Sequence, residues 1–408
     1  MGIVNVPEHM NRALERYQAG TDRREKRKRL VARVRARKGD VDLGEIDDPQ
    51  RMVQRLLKMD DHGAADRFVK GLLDKDGAHA RDESLEDIFR ERIIKKNDLK
   101  QVNYLDKALQ ASRSVGRILT KNGNQTSFGT GFMVSPRLMM TNHHVLPNFG
   151  AATRSEIQFN YREISPGTNT RPVVFKLDPD AFFVNDKHLD YALVAIVGVN
   201  EEQQRVEERG WIHLIEESGK AIVGERVNII QHPEGEPLQL CLHDNFIVDK
   251  DDDFLIYESD TKRGSSGSPV FNDQWQLAAL HHTGVPRKNE EGQILMVDGK
   301  PWNKDRRTIG MIDWRANEGA RVSKIITSLR TKAKAFDEDQ QAFFQGLFQR
   351  QPELTLQESA TSSSFVRAIH TDEHGFVSLT VPVTIKVGLN QAGIQSITLP
   401  AGDADQDS

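Results

Sequence analysis

Apolar positions change their period twice along the chain. In the first hundred residues they recur at helical spacing, as Met52, Val53, Leu56 and Leu57 and again as Phe68, Val69, Leu72 and Leu73, each set forming one stripe of an amphipathic helix. A third helix is expected from Ser84, where Asp87 completes a capping-box-like start ahead of Ile88, Phe89 and Ile93. Residues 23–38 differ, with Leu30, Val31 and Val34 as their only sizeable apolar residues. That segment reads as a mostly solvated helix or a disordered arm. Residues 39–50 are acidic and lack periodicity.

From about Val115 the pattern becomes one of short apolar runs broken by Gly, Pro, Asn and Asp: 131–134, 192–197, 227–230, 254–257 and 277–280. Many short strands separated by turn signals predict a sandwich or barrel. Val322, Ile325, Ile326 and Leu329 then form a helical stripe that closes this β domain. Residues 335–350 are helical and aromatic in character, and 358–365 read as a flexible linker. Alternation from Val377 to Leu389 describes a strand with one buried face; Pro382, on the other face, lacks an N–H and makes it an edge strand. Residues 401–408 are polar, with disorder expected, and no internal repeat is found. The expected organisation is a helical accessory module over 1–90, a β domain over 91–335 and a C-terminal helix, linker and edge strand over 336–408.

Composition adds limits. The 408 residues are 37% hydrophobic and 28% charged, ordinary for a multi-domain soluble chain. A net charge of −4 gives no global attraction to nucleic acid or anionic membranes, so neither is an expected partner. Residues 23–38 carry ten Lys or Arg against Glu25 alone; a solvated charged helix is the expectation there. Cys241 is the only cysteine, which excludes an internal disulfide and suits a reducing cytosol. Met1–His9 lacks the basic and apolar regions of a signal peptide, Val6 spoils a myristoylation match, and no run approaches 18 apolar residues. A cytoplasmic location is expected.

Three motifs carry the chemistry. The first runs from Gly129-Thr-Gly-Phe-Met-Val to Thr141-Asn-His-His-Val, a strand leading to a histidine-bearing turn. The second is Asp190 at the head of the apolar run Tyr191-Ala-Leu-Val-Ala-Ile, and the third is Gly264-Ser-Ser-Gly-Ser-Pro269. A serine hydroxyl is a weak nucleophile until an imidazole takes its proton. A buried carboxylate on the far ring nitrogen fixes that imidazole's tautomer. Gly264 permits a backbone conformation that aims its N–H, with that of Ser266, at a developing oxyanion. The order His, Asp, Ser is that of chymotrypsin, with 46 residues from His144 to Asp190 and 76 from there to Ser266.

These motifs resemble the trypsin-like serine peptidases over about residues 92–330, in particular the cysteine-poor bacterial branch that includes the glutamyl endopeptidases. Gln231-His-Pro-Glu-Gly and Asn317-Glu-Gly-Ala-Arg-Val-Ser are similar to a bacterial subgroup often fused to other modules. The resemblance implies a mainly β, chymotrypsin-like double barrel. It selects His144 over His143 and Ser266 over Ser265 and Ser268, and gives the catalytic set His144, Asp190 and Ser266. The acid that receives a new N-terminus in digestive members is Ser265 here, so activation by that route is not expected. The resemblance also places a specificity pocket at Asp260, Thr261 and His281. Thr261 with His281 is similar to the pair that holds glutamate or glutamine, whereas Asp260 is similar to the aspartate that attracts Lys or Arg. The preference therefore stays open, with a lean to acidic or amide side chains.

The expected activity is a serine endopeptidase acting on protein or peptide substrates, needing no metal and no cofactor. A protein partner is expected to engage the N-terminal helical module and regulate or tether the enzyme. The rival is a catalytically inactive protease fold that binds or scaffolds. Zinc is the competing use of His143, His144, His281 and His282, but no His-Glu-x-x-His is present and Cys241 stands alone.

Overall fold

The helical spacing of the N-terminal region is realised as α1 (Glu8–Ala19), α2 (Thr21–Arg35), α3 (Pro49–Lys58), α4 (His62–Leu73) and α5 (Leu85–Ile88), the last running into a π-helical turn, Phe89–Ile94. Asp48 caps α3 through Gln50 and Arg51 N–H, and Pro49 fills its first position. A computed structural model describes residues 6–38, 41–59, 62–73, 85–94, 100–123, 125–243, 245–259, 261–262, 264–303, 306–349, 369–371 and 377–379. Ser84, expected to open the third helix, lies outside them.

The short apolar runs form two sheets. The strands β1 (Val115–Asn122), β2 (Gln125–Met133), β3 (Leu138–Thr141), β4 (Ser155–Phe159), β7 (Val173–Asp186) and β8 (Tyr191–Ile196) close into a barrel in the order β1-β2-β3-β8-β7-β4. A small hairpin, β5 (Glu163–Ser165) with β6 (Thr168–Asn169), and one helical turn, α7 (Phe149–Thr153), decorate it. The second sheet contains β9 (Asn228–Gln231), β10 (Gln239–Cys241), β11 (Ile247–Lys250), β12 (Phe254–Tyr257), β13 (Pro269–Phe271), β14 (Leu277–Pro286) and β15 (Trp314–Arg321), in the order β10-β9-β13-β14-β15-β12-β11. This is the chymotrypsin-like architecture, with the second barrel left open. Helix α6 (Asn103–Arg113) leads into the first barrel; α8 (Val322–Ala333) and α9 (Glu338–Gly346) follow the second sheet. In α8 the expected stripe is the buried one: Val322, Ile325, Ile326 and Leu329 are all almost fully enclosed.

The core runs through both sheets. Ile118, Met133, Met139, Ile157, Phe159, Phe175 and Val194 fill the closed barrel. A larger cluster joins Phe132, Leu193, Ile230, Phe271 and Leu280 to the buried face of α8. The N-terminal helices pack on the second sheet. Met52, Leu56, Phe68, Phe89 and Ile93 share a core with Ile229, Leu255, Tyr257 and Val270, while Ala13, Leu14 and Tyr17 of α1 cover Val248, Ile256, Val285 and Ala316.

The basic segment is ordered as a helix, and most of its charged side chains are exposed, as the solvated-helix reading expects. It is α2, with Leu30, Val31 and Val34 buried. Arg23 and Arg27 both pair with the fully buried Asp249 of β11, and Lys28 pairs with Glu258. Arg24 is enclosed over the ring of Tyr17. Two acids more than two hundred residues away in sequence thus pair with three of the run's ten cations.

The chain divides into two units, residues 1–351 and 352–408. In the second, Ile369–Thr371 pairs antiparallel with Val377–Leu379. The rest of the expected alternating strand, Pro382 included, lies outside the described residues, as do the segments 358–365 and 401–408. Among the described residues no helix is long and apolar enough to cross a membrane.

Candidate active site

Strand β3 delivers the histidine turn. Thr141 Oγ1 donates to Thr130 O of β2, and Asn142 O accepts from Val145 and Leu146 N–H, closing a tight turn that carries His143 and His144. Asp190 stands where β7 turns into β8. Asp186 builds this turn by accepting from the N–H of His188 and Leu189, and is itself held by Ser328 and Lys332 of α8. Asp190 adopts the left-handed conformation, φ +53°, an uncommon state that Asp tolerates better than most residues. Asn142 Nδ2 donates to its carbonyl. The two turns therefore hold each other.

Their side chains meet. His144 Nδ1 lies 2.7 Å from Asp190 Oδ2, and His144 N–H donates to Oδ1 at 2.9 Å. Burial alone would raise the Asp190 pKa, but the charge of and hydrogen bond from His144, then those of His282, hold it well below the usual carboxylate range. His144 is half-buried and Asp190 fully buried. His143, the neighbour, is not bound to Asp190 by any described hydrogen bond, and burial lowers its pKa.

The Gly264–Pro269 turn is fastened to the first barrel through Thr130. Thr130 N–H donates to Ser266 O at 2.8 Å, Thr130 Oγ1 donates to Gly264 O at 2.8 Å, and His232 N–H donates to Thr130 Oγ1 at 3.1 Å. Gly267, φ +88°, admits nothing larger, since a Cβ there would fall 2.0 Å from Thr130 O and 2.3 Å from Thr141 Oγ1. Gly264 has φ +89°. Within the turn the N–H groups of Ser265, Gly267 and Ser268 donate to Lys262, His281 and Ser265 carbonyls. Ser266 is half-buried, and Ser265 and Ser268 are fully buried.

Of the expected pocket residues, Asp260 lies outside the described residues. Thr261 Oγ1 donates to Asn317 Oδ1, whose amide donates to Ser259 O. His281, on β14, is buried with Nδ1 2.7 Å from the hydroxyl of Tyr257. Burial, with His282 and His144 nearby, pushes its pKa down to about 3. Burial also raises the Tyr257 phenol well above its ordinary value, so the pair is neutral.

Two contributions were not expected from the sequence. His9, at the first turn of α1, stacks on His144 with ring centroids 4.1 Å apart and planes 11° from parallel. Burial and the neighbouring His144 push its pKa down to about 3. On β14 and β15, His282 and Glu318 extend the Asp190 pair inward. In the sequence, His282 stands out only as a competing zinc ligand and Glu318 only within the Asn317-Glu-Gly motif, neither with this role. His9, His144 and Asp190 offer three donor atoms within 4.8 Å of one another. Stacked parallel rings, however, point their lone pairs side by side, whereas zinc needs donors converging at about 2.0–2.2 Å. Asp190 Oδ2 is moreover committed to two histidines. The set is a poor fit for a metal.

Residues 129–280 match the trypsin-like peptidase domain model, so the segment that carries all three motifs is similar to the trypsin-like peptidases. An uncharacterized protein, y4fB, of Sinorhizobium fredii is 36% identical over 273 residues, covering 61% of this chain and 40% of that protein. The serine protease FAM111A of Mus musculus is 24% identical over 238 residues, covering 46% of this chain and 37% of that protein. The chain thus spans about two fifths of the length of these curated relatives. Among solved structures, the active form of the Rv3671c protease from M. tuberculosis aligns with 15% identity and a TM-score of 0.36, covering 56% of this chain and 86% of that one. A Glu endopeptidase aligns with 14% identity and a TM-score of 0.36, covering 60% of this chain and all of that one.

Proposed function

We propose that this chain is a serine endopeptidase working through an acyl-enzyme, with Ser266 as nucleophile, His144 as general base and Asp190 as the residue that orients it. The observation that carries this reading is the double hold of Asp190 on His144, through Nδ1 and through the backbone N–H. It fixes the tautomer that leaves Nε2 free to take a proton. Ser266 Oγ attacks the substrate carbonyl while its proton passes to His144. The amine leaves with that proton, and a water repeats the sequence to release the acid and regenerate the serine. The N–H groups of Gly264 and Ser266 alternate along the turn with those that donate to protein carbonyls, which suits them to the oxyanion.

Specificity follows from the neutral His281. A buried phenol donates better than it accepts, so Tyr257 O–H donates to Nδ1 and the ring proton sits on Nε2. A neutral N–H donor suits the amide oxygen of glutamine before the scissile bond and supplies no positive charge for glutamate.

His9 covers one face of His144, so the first turn of α1 restrains access in the resting chain. A protein partner that draws this turn aside would open the site, giving the N-terminal helices their regulatory role. Labelling by a fluorophosphonate, lost together with peptide cleavage in Ser266→Ala, tests the assignment. Removing a triad nucleophile should reduce turnover by on the order of 10⁴ to 10⁶. No labelling of the wild-type chain would instead favour the inactive, scaffolding reading.

A further inference from the structure

Four side chains behind His144 form one unbroken line into the N-terminal helix. Asp190 Oδ2, which binds His144, also lies 3.1 Å from His282 Nδ1. The other nitrogen of that ring, Nε2, is 2.7 Å from Glu318 Oε1. Arg16 of α1 grips both oxygens of Glu318, with Nε 3.2 Å from Oε2 and Nη2 on Oε1. The Arg16 guanidinium also lies 3.9 Å from the centroid of Phe254, whose ring stacks on His282 at 5.3 Å. His282, Glu318 and Asp190 are all at most 2% exposed.

The protonation state follows from donor counting. A carboxylate only accepts, and His282 faces one at each ring nitrogen, so both nitrogens must carry protons. The groups facing His282 are Asp190 and Glu318, with Phe254 on its ring and His281, His144 and the neutral His9 around it. The line therefore alternates in sign: Arg16 positive, Glu318 negative, His282 positive, Asp190 negative, then His144, which becomes positive as it takes the serine proton.

Resting on the serine-peptidase reading, we propose that Arg16, Glu318 and His282 are positioning residues for catalysis, and that α1 is thereby a working part of the active site. The imidazolium fixes Asp190 by a charged hydrogen bond. Left alone, its charge would also oppose protonation of His144. Glu318 cancels that charge, and Arg16 holds Glu318 in place, which a buried carboxylate needs to remain ionised. His9 and Arg16 lie seven residues apart on one face of α1. The first turn can shift to expose His144 while the later turn keeps its grip on Glu318.

The test uses the full chain, with rates per active site titrated by a fluorophosphonate. Arg16→Ala and Glu318→Gln should lower kcat for a small activated ester on the order of tenfold, with KM within about twofold. Arg16→Lys should recover about half the loss or more. Nitrogen-detected NMR of the imidazoles should show both nitrogens of His282 protonated at neutral pH in the wild type, and one in Glu318→Gln. A singly protonated His282 in the wild type, or unchanged kcat per titrated site in both variants, overturns the proposal. Failure of the wild type to label or turn over would overturn the peptidase reading itself, a distinct result.

Discussion

At the scale of single residues, the proposed chemistry depends on which of two adjacent histidines meets Asp190. The 2.7 Å contact belongs to His144, so His144→Ala should reduce ester and peptide turnover by at least about 10³-fold, while His143→Ala should stay within about threefold. Exchanged outcomes in steady-state kinetics would refute the assignment. The pocket gives a second expectation at this scale. With His281 kept neutral by burial and its ring proton placed on Nε2 by the Tyr257 hydroxyl, paired peptides should be cleaved faster at glutamine than at glutamate at neutral pH. Tyr257→Phe should narrow the difference by removing the donor that keeps the ring proton on Nε2. A wild-type preference for glutamate, measured as kcat/KM, would remove the neutral-donor account.

Elements show what could be read in advance and what could not. The stripe of α8 and the strand runs were legible because their apolar periods are local properties of the chain. The His144 and Asp190 turns were legible because their residue types are chemically demanding and close in sequence to the strands that carry them. The destination of α2 was not legible: its charges appear surplus until Asp249, a buried acid on β11, is brought beneath Arg23 and Arg27. The same holds for Arg16, whose partner Glu318 is 302 residues away. Long-range ion pairs leave no periodic trace. Breaking the α2 contact has a measurable cost. Asp249→Ala and Asp249→Asn should each destabilise the fold by about 2–3 kcal/mol, below the figure for a fully buried pair because Arg23 is partly solvated. Denaturant midpoints unchanged by both substitutions would show that the contact adds nothing.

For the whole molecule, the distribution of buried histidines sets its response to acid. Burial holds His9, His281 and His232 neutral, with pKa values pushed down to about 3, 3 and 4, whereas in the unfolded chain each titrates near 6.5. Between those limits the unfolded state binds more protons, so stability rises with pH and falls as pH drops below about 6.5. Unfolding near pH 5 should therefore take up about two to three protons at these residues; His282, whose pKa burial lowers but its two carboxylate partners raise further, carries its proton in both states at that pH and adds nothing. Unfolding free energies that are flat from pH 7 to 4.5 would contradict this.

Thr130 has a mechanical consequence. One residue of the first barrel binds the carbonyls of Gly264 and Ser266 and receives His232 N–H from the second sheet, acting as a pin through the seam between the halves. The halves cannot swing apart even slightly without pulling on the backbone that bears the proposed nucleophile. Turnover then becomes a gauge of mechanical alignment: any force that loosens the seam, applied anywhere on either half, would be read out as lost rate before either half begins to unfold.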